Sequence, residues 1–307
     1  MINQAFVLGA GLGTRLKALT QNYRPKPLIP VANRPLVTYA FDHLRSAGVD
    51  RFVVNTHWRA EAYGEAFPQP VYEGLPIEFR HEWPDVLETA GGIKNVEDLL
   101  GGNPFWVYNG DILSTLPLAP AIKAHADSGN EVTLVLRSKD GPLQIALDCD
   151  SGRIADVGGR VGSAIQPSYL FTGIYLVNPE FLVRIPPATK LSVIHIFCEM
   201  IRAGASLGGV VIDDGEWYDL GTRDQYLAVH ESLGGGPWIH PTATIARDAK
   251  ITGASAIGAH ACVGAGARID NSLIWDRAIV EAGAELSRCI VATGQHAAGR
   301  LENLDIA

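Results

Sequence analysis

Residues 6–31 read FVLGAGLGTRLKALTQNYRPKPLIPV. The apolar run Ala5-Phe6-Val7-Leu8 predicts a buried strand. Gly9, Ala10, Gly11, Gly13, Thr14 and Arg15 follow it, and further on comes Pro25-Lys26-Pro27. Glycines let bare backbone N–H groups approach an anion closely. Arg15 and Lys26 add two positive charges beside such a cradle. The stretch has the chemistry of a phosphate-holding loop at the C-terminal end of a first strand. Two well-known loops do not match it. A dinucleotide fingerprint needs G-x-G-x-x-G and an acid at the end of the second strand. Here that strand runs into Asn55-Thr56-His57 instead. A P-loop needs G-x-x-x-x-G-K-[ST], which is absent at this point. A plain tight turn stays open as the reading of the glycines taken alone.

Outward from that stretch, strands and helices alternate. Helices are predicted over 34–48, 60–67, 92–100, 117–128 and 223–233. Pro35 suits the first turn of the first helix and Gly48 its stop. Strands are predicted at 52–54, 77–79, 105–108, 131–136, 169–177 and 207–212. Residues 144–147 and 153–157 read as a hairpin about Asp150-Ser151-Gly152. The alternation argues for an α/β, mostly parallel sheet with ligands at the carboxyl ends of its strands. Asn109-Gly110-Asp111 sits at one such end, and also reads as an ordinary turn. Glu88-Thr89-Ala90-Gly91-Gly92 reads as a helix start with Thr89 as cap. Its paired glycines cost stability there, on the order of 1 kcal/mol each, which a closely approaching ligand would explain.

The combination G-x-G-T-R-L with P-K-P-L resembles the sugar-1-phosphate nucleotidyltransferases, or NDP-sugar pyrophosphorylases. Trp217-Tyr218-Asp219-Leu220-Gly221-Thr222 carries a second signature of that family, W-x-D-x-G-T. Asp219 also precedes a helix for which Thr222 is a good N-cap. The resemblance implies a Rossmann-like (GT-A-like) mixed sheet. It also implies transfer of a nucleotidyl group from an NTP to a sugar 1-phosphate, releasing pyrophosphate. Gly9, Ala10, Gly11, Gly13, Thr14, Glu88, Thr89, Gly91 and Gly92 are then expected at the nucleotide. Asn109, Thr172 and Gly173 are expected at the sugar, and Arg15 and Lys26 at the reacting phosphates. Asp111 and Asp219 become ligands of Mg²⁺, which takes hard oxygens. The form E-T-A-G-G-I is similar to bacterial N-acetylmuramate-1-phosphate uridylyltransferases, with guanylyltransferases of mannose or heptose 1-phosphate close behind. One departure stands out. Many members carry Glu-Lys-Pro before the strand at 169–177, its lysine on the sugar phosphate. Here 157–163 reads VGGRVGS, with only Arg160 to supply that charge.

Gly234-Gly235-Gly236-Pro237 reads as a linker after a catalytic domain of residues 1–233. Beyond it Ile239, Ile245, Ile251, Ile257, Val263 and Ile269 recur at every sixth position. Ile274, Val280 and Leu286 resume the period after a one-residue slip. This hexapeptide pattern predicts a left-handed parallel β-helix of about three coils over 238–307, closing in a polar tail from 300. Some such β-helices are acyltransferases acting through a histidine, and His240, His260 and His296 are present. An oligomerisation or regulatory module, joining copies of the chain, is the reading adopted. An acyltransferase and a silent nucleotide-sugar sensor remain the competing functions.

Composition bounds the rest. The 307 residues are 47% hydrophobic and 19% charged, with net charge -8. No general basic field exists to attract nucleic acid. The four scattered cysteines, without CxxC spacing, predict reduced thiols of a cytoplasmic protein. No secretory leader or membrane span is expected.

Overall fold

The computed structural model describes residues 2–11, 13, 16, 18–21 and 23–307. In chain order come β1 (Gln4–Leu8), α1 (Ala18–Gln21), β2 (Pro30–Val31), β3 (Arg34–Pro35), α2 (Val37–Ser46) and β4 (Arg51–Thr56). Then follow α3 (Glu61–Ala66), β5 (Val71–Tyr72), β6 (Leu75–His81), α4 (Glu88–Asn95), β7 (Phe105–Asn109), β8 (Ile112–Ser114) and α5 (Ala119–Ser128). β9 (Val132–Arg137), β10 (Ile145–Asp148), β11 (Arg153–Val157), β12 (Leu170–Val177), α6 (Val193–Arg202), β13 (Leu207–Val211), β14 (Trp217–Asp219) and α7 (Arg223–Leu233) precede a series of short rungs. The chain packs as two compact units. One comprises Met1–Gly11 and Val37–Tyr218, the other Leu12–Leu36 and Asp219–Ala307.

The first unit is built on a ten-stranded sheet in the order β10-β11-β13-β9-β12-β7-β1-β4-β6-β5. β1 runs parallel to both neighbours, with Val7 opposite Val54 and Leu8 opposite Asn109. Buried residues such as Phe6, Val53 and Val107 make these strands continuous apolar runs, as a sheet covered on both faces requires. The sheet is mixed rather than mostly parallel. β12 follows the β10–β11 hairpin and lies antiparallel to both β7 and β9. The helix expected over 92–100 begins earlier, at Glu88, and ends at Asn95 before a separate 3-10 turn at Glu97–Leu99.

In the second unit, Arg34-Pro35 do not open a helix. They pair as β3 with β2 across a two-residue hairpin loop. Its central residues, Ala32 and Asn33, both take positive φ, 47° and 64°, as a type I′ turn demands. α7 is where the sequence predicts it. Thr222 accepts from the Gln225 N–H and the Gln225 side chain answers to the Thr222 backbone, a complete capping box. The hexapeptide region forms three parallel sheets of five, four and four short strands. Ile239 pairs with Ile257, Ile257 with Ile274, Ile274 with Val291 and Val291 with Ile306. The sequence slip falls at the corner holding Asn271, whose φ is 43°. The expected polar tail is instead the last coil, because Arg300–Glu302 and Asp305–Ile306 pair as rungs. The coils close over their own core of Ile257, Ile269, Ile274, Val280, Leu286 and Val291. All four cysteines are free thiols. Among the described residues no helix is long and apolar enough to cross a membrane.

Candidate active site

The parallel strands of the first unit end side by side, and their ends carry the expected nucleotide residues. Gly9 follows β1 in a crowded place. A Cβ there would lie 2.5 Å from the Asn55 carbonyl oxygen and 2.7 Å from the Tyr63 hydroxyl. The Gly9 N–H donates to Asn55 Oδ1 (2.7 Å), and its carbonyl accepts from the Tyr63 hydroxyl (2.8 Å). Gly9 therefore serves close packing, and its amide is already committed inside the protein. Any amide cradle for an anion begins after it. Ala10 is buried and Gly11 exposed. Thr14 and Arg15 lie outside the described residues. In the second unit, the Gly13 carbonyl accepts from the Thr20 hydroxyl (2.6 Å).

Asn55 passes the contact onward. Its Nδ2 donates to Glu82 Oε1 (2.7 Å), and the Leu87 N–H donates to Glu82 Oε2 (2.7 Å). Both side chains are 1% exposed. This relay ties the end of β1 through β4 and β6 to the first residues of α4. A Cβ at Gly92 would sit 2.9 Å from both Asn55 Nδ2 and Glu82 Oε1, and one at Gly91 2.2 Å from the Thr189 carbonyl. The two glycines are thus explained by the protein's own groups, with no ligand needed. Thr89 does not cap α4. Its hydroxyl accepts from the Val193 N–H at the start of α6 (2.7 Å). Ala90 and Gly91 donate to the Leu191 carbonyl (2.8 and 3.1 Å). Glu88 is exposed and holds a positive φ of 59°, a strained backbone of the kind found where a segment is over-determined by its surroundings.

At the end of β7, Gly110 donates to the Leu8 carbonyl (3.0 Å), and a Cβ there would meet that oxygen at 2.7 Å. Asp111 is partly buried. Burial, and then the Asp111 charge, push the Tyr63 phenol well above its usual pKa, so Asp111 acts electrically on the group that holds Gly9. Asn109 packs on Gly173, where a Cβ would fall 2.4 Å from Asn109 Nδ2. Gly173 takes φ 78° at a break in the β9–β12 register. The Thr172 side chain turns inward, its hydroxyl donating to the Val135 carbonyl (2.8 Å). Its carbonyl accepts from Trp217 Nε1 (2.9 Å). Thr172 therefore holds strand geometry, and Asn109 and Gly173 are left as the pair that meets at this spot.

Arg160 is not an isolated arginine on a loose loop. Asp156, 4% exposed, accepts from the N–H groups of Val161, Gly162 and Ser163 (3.2, 2.8 and 3.1 Å). Burial opposes its charge, but those backbone donors prevail and hold its pKa low. The loop so pinned shares a cleft of about 690 Å³ with Glu88, Lys190, His195, Cys198 and Arg202. Arg202 donates to the Arg160 carbonyl (2.6 Å).

In the second unit, Lys26 sits on the 3-10 turn Lys26–Leu28 with its side chain buried. Its Nζ meets Asp219 Oδ1 at 3.2 Å. Two motifs 193 residues apart thus supply an ion pair, with the Asp219 carboxylate still 29% exposed. Hard carboxylates such as Asp111 and Asp219 suit Mg²⁺, which completes its shell with water and substrate phosphate. No group of three or more His, Cys, Asp or Glu able to hold a metal forms among the described residues.

A nucleotidyl transferase family model matches residues 4–234. The chain belongs to that family. A second model, the GMPPB C-terminal domain, matches residues 234–302. This nucleotidyltransferase is 28% identical to mannose-1-phosphate guanylyltransferase of Mycobacterium tuberculosis, over 92% of the chain and 83% of the relative. It is 30% identical to "Probable mannose-1-phosphate guanylyltransferase 2" of Oryza sativa subsp. japonica, over 95% of the chain and 82% of the relative. Among solved structures, the inositol-1-phosphate CTP transferase from T. maritima shares its fold. That match has a TM-score of 0.62 at 19% identity and covers 73% of this nucleotidyltransferase and 91% of the other chain.

Proposed function

We propose that this nucleotidyltransferase joins GTP and mannose 1-phosphate to give a GDP-sugar and pyrophosphate. The observation that supports the reading is the Lys26–Asp219 ion pair, a cation of the kind that suits phosphate beside an anion of the kind that suits a hard metal, together with guanylyltransferase relatives over nearly the whole chain. In this reading an oxygen of the sugar phosphate attacks the α-phosphorus in line. The bond from that phosphorus to the pyrophosphate breaks, and both of its electrons leave with the pyrophosphate. Catalysis then consists of positioning and charge neutralisation, with no protein nucleophile. Lys26 holds the α-phosphate and the sugar phosphate. Arg15 neutralises the departing pyrophosphate. Residues 10–14 hold the triphosphate, residues 88–92 the base and ribose, and Asn109 with Gly173 the sugar. Asp111 and Asp219 are the carboxylates for Mg²⁺, which when bound supplies charge neutralisation at phosphate oxygens. We assign catalysis to residues 1–233 and place the enzyme in the cytoplasm, with the β-helix as the surface through which copies associate.

A second reading, UTP with N-acetylmuramate 1-phosphate, is favoured by one feature. The cleft of Arg160, Lys190 and Arg202 offers three cations against one Glu88, and N-acetylmuramate carries a carboxylate that mannose lacks. Pyrophosphate release should be measured for four NTPs against mannose, glucose, heptose and N-acetylmuramate 1-phosphates. Turnover with GTP and mannose 1-phosphate supports the first reading. A preference for UTP with N-acetylmuramate 1-phosphate, lost in Arg160→Ala, moves the assignment to the second. Nucleotide-sugar binding with no turnover of any pair would discard both.

A further inference from the structure

We propose that the β-helix positions Lys26, with Arg24 as the positioning residue through which it acts. The proposal rests on the phosphate role given to Lys26 above. It starts from the residues on either side of that lysine. Arg24 stands two positions before it. Its Nη2 donates to Asp276 Oδ2 (3.1 Å) and to the Thr293 hydroxyl (3.3 Å), on two successive coils. The guanidinium lies 5.6 Å from the ring centre of Trp275, a cation–π distance. Tyr23 meets the same ring edge-on at 6.4 Å and its hydroxyl accepts from Gln295 Nε2 (2.7 Å).

The residues after Lys26 are held as firmly. Asn33 Nδ2 donates to the carbonyls of Trp238 and Ile257 (3.1 and 2.9 Å). The Ala32 N–H donates to His230 Nε2 (3.1 Å). The Tyr226 hydroxyl donates to the Pro30 carbonyl and accepts from Trp275 Nε1 (3.2 Å). Ala32 at φ 47° is a poor residue for that conformation, and these bonds keep it there. Asp276 is itself immobilised, because its Oδ1 accepts from the Ala259 N–H of the preceding coil (3.0 Å). Lys26 thus rides on a strap of chain clamped at both ends to rigid coils. A lysine is a point charge on a flexible stem, so its ability to bridge two phosphates depends on where that strap holds its backbone.

The experiment uses the full chain with GTP and mannose 1-phosphate, or whichever pair the pyrophosphate screen selects. Arg24→Ala and Asp276→Asn are each compared with Lys26→Ala and with the double variants Arg24→Ala/Lys26→Ala and Asp276→Asn/Lys26→Ala. Asp276→Asn keeps an oxygen for the Ala259 N–H, so the coil stays intact while Arg24 loses its carboxylate. Each single substitution is expected to lower kcat by about ten-fold, leaving KM for the NTP within roughly two-fold. Once Lys26 is gone, neither is expected to have a further effect, because each acts through it. Arg24→Lys, which keeps the charge, should recover part of the lost kcat. Effects of Arg24→Ala and Lys26→Ala that multiply independently would overturn the proposal, as would a wild-type kcat in Asp276→Asn. A Lys26→Ala variant with normal turnover would instead remove the reading of Lys26 itself. Thermal midpoints of all variants separate misplacement from unfolding.

Discussion

Glu82 has a hydrogen-bond donor on each of its oxygens. The Leu87 N–H can only donate, and so can the Gly9 N–H at the far end of the relay. That fixes the Asn55 amide with its oxygen toward Gly9 and its nitrogen toward Glu82. A glutamine at position 82 would set donor against donor, and an aspartate at position 55 would set carboxylate against carboxylate. Making both changes together restores the polarity throughout. The Gly9 N–H then donates to a carboxylate at position 55. The side-chain amide at position 82 donates to that same carboxylate, and its oxygen accepts from the Leu87 N–H. Glu82→Gln and Asn55→Asp are each expected to cost on the order of 1–3 kcal/mol of stability and to raise KM for the NTP. The double exchange should recover most of both, as read by chemical denaturation and steady-state kinetics. A double variant no better than the worse single one would remove the relay's role. Asp111→Ala and Asp219→Ala are each expected to abolish pyrophosphate release at saturating Mg²⁺. Release that persists in the double variant would refute the carboxylate assignment.

At the scale of elements, α7 carries its own start signal. Loss of the Thr222 cap in Thr222→Ala should cost about 1 kcal/mol, measurable as a shift of the urea midpoint. Such local devices are what the sequence displays openly. Thr222 and Gln225 are three residues apart, and the β-helix announces itself by a strict period. The glycine stretch and the Trp217–Asp219 motif likewise mark the family by residue type at close spacing. What stayed hidden was which atoms already had partners. The motif names Gly9, Thr89 and Thr172, yet the Gly9 amide, the Thr89 hydroxyl and the Thr172 hydroxyl are taken by Asn55, Val193 and Val135. Those partners lie in other elements, and only strand order and packing bring them near. Arg24 and Asp276 are 252 positions apart, so no window of sequence joins them. The cationic cleft is hidden for the same reason, since Arg160 is separated in sequence from Lys190 and Arg202.

For the molecule as a whole, His230 makes a prediction about acidity. It is fully buried, and burial lowers its pKa from 6.5 to about 4, only partly opposed by its bond to the Tyr226 carbonyl. Its Nε2 must stay unprotonated to accept from Ala32. Well above pH 6.5 the imidazole is neutral whether folded or unfolded, so there this group leaves stability unchanged. As pH falls from 6.5 to about 4 the unfolded chain takes up the proton first, and the folded state loses roughly 3 kcal/mol. His230→Gln should flatten that part of the stability–pH curve, read from urea unfolding between pH 7 and pH 4. The same unit draws residues 12–36 from one end of the chain and 219–307 from the other. During synthesis, at about 5–20 residues per second, the strap bearing Lys26 leaves the ribosome well before Trp275 and Asp276 exist. It therefore waits undocked for on the order of ten seconds or more. A nascent chain stalled before Trp275 should expose residues 23–36 to protease and release pyrophosphate slowly, so full turnover would wait on coils made long after the strap that they hold, Arg24 and Asp276 being 252 positions apart.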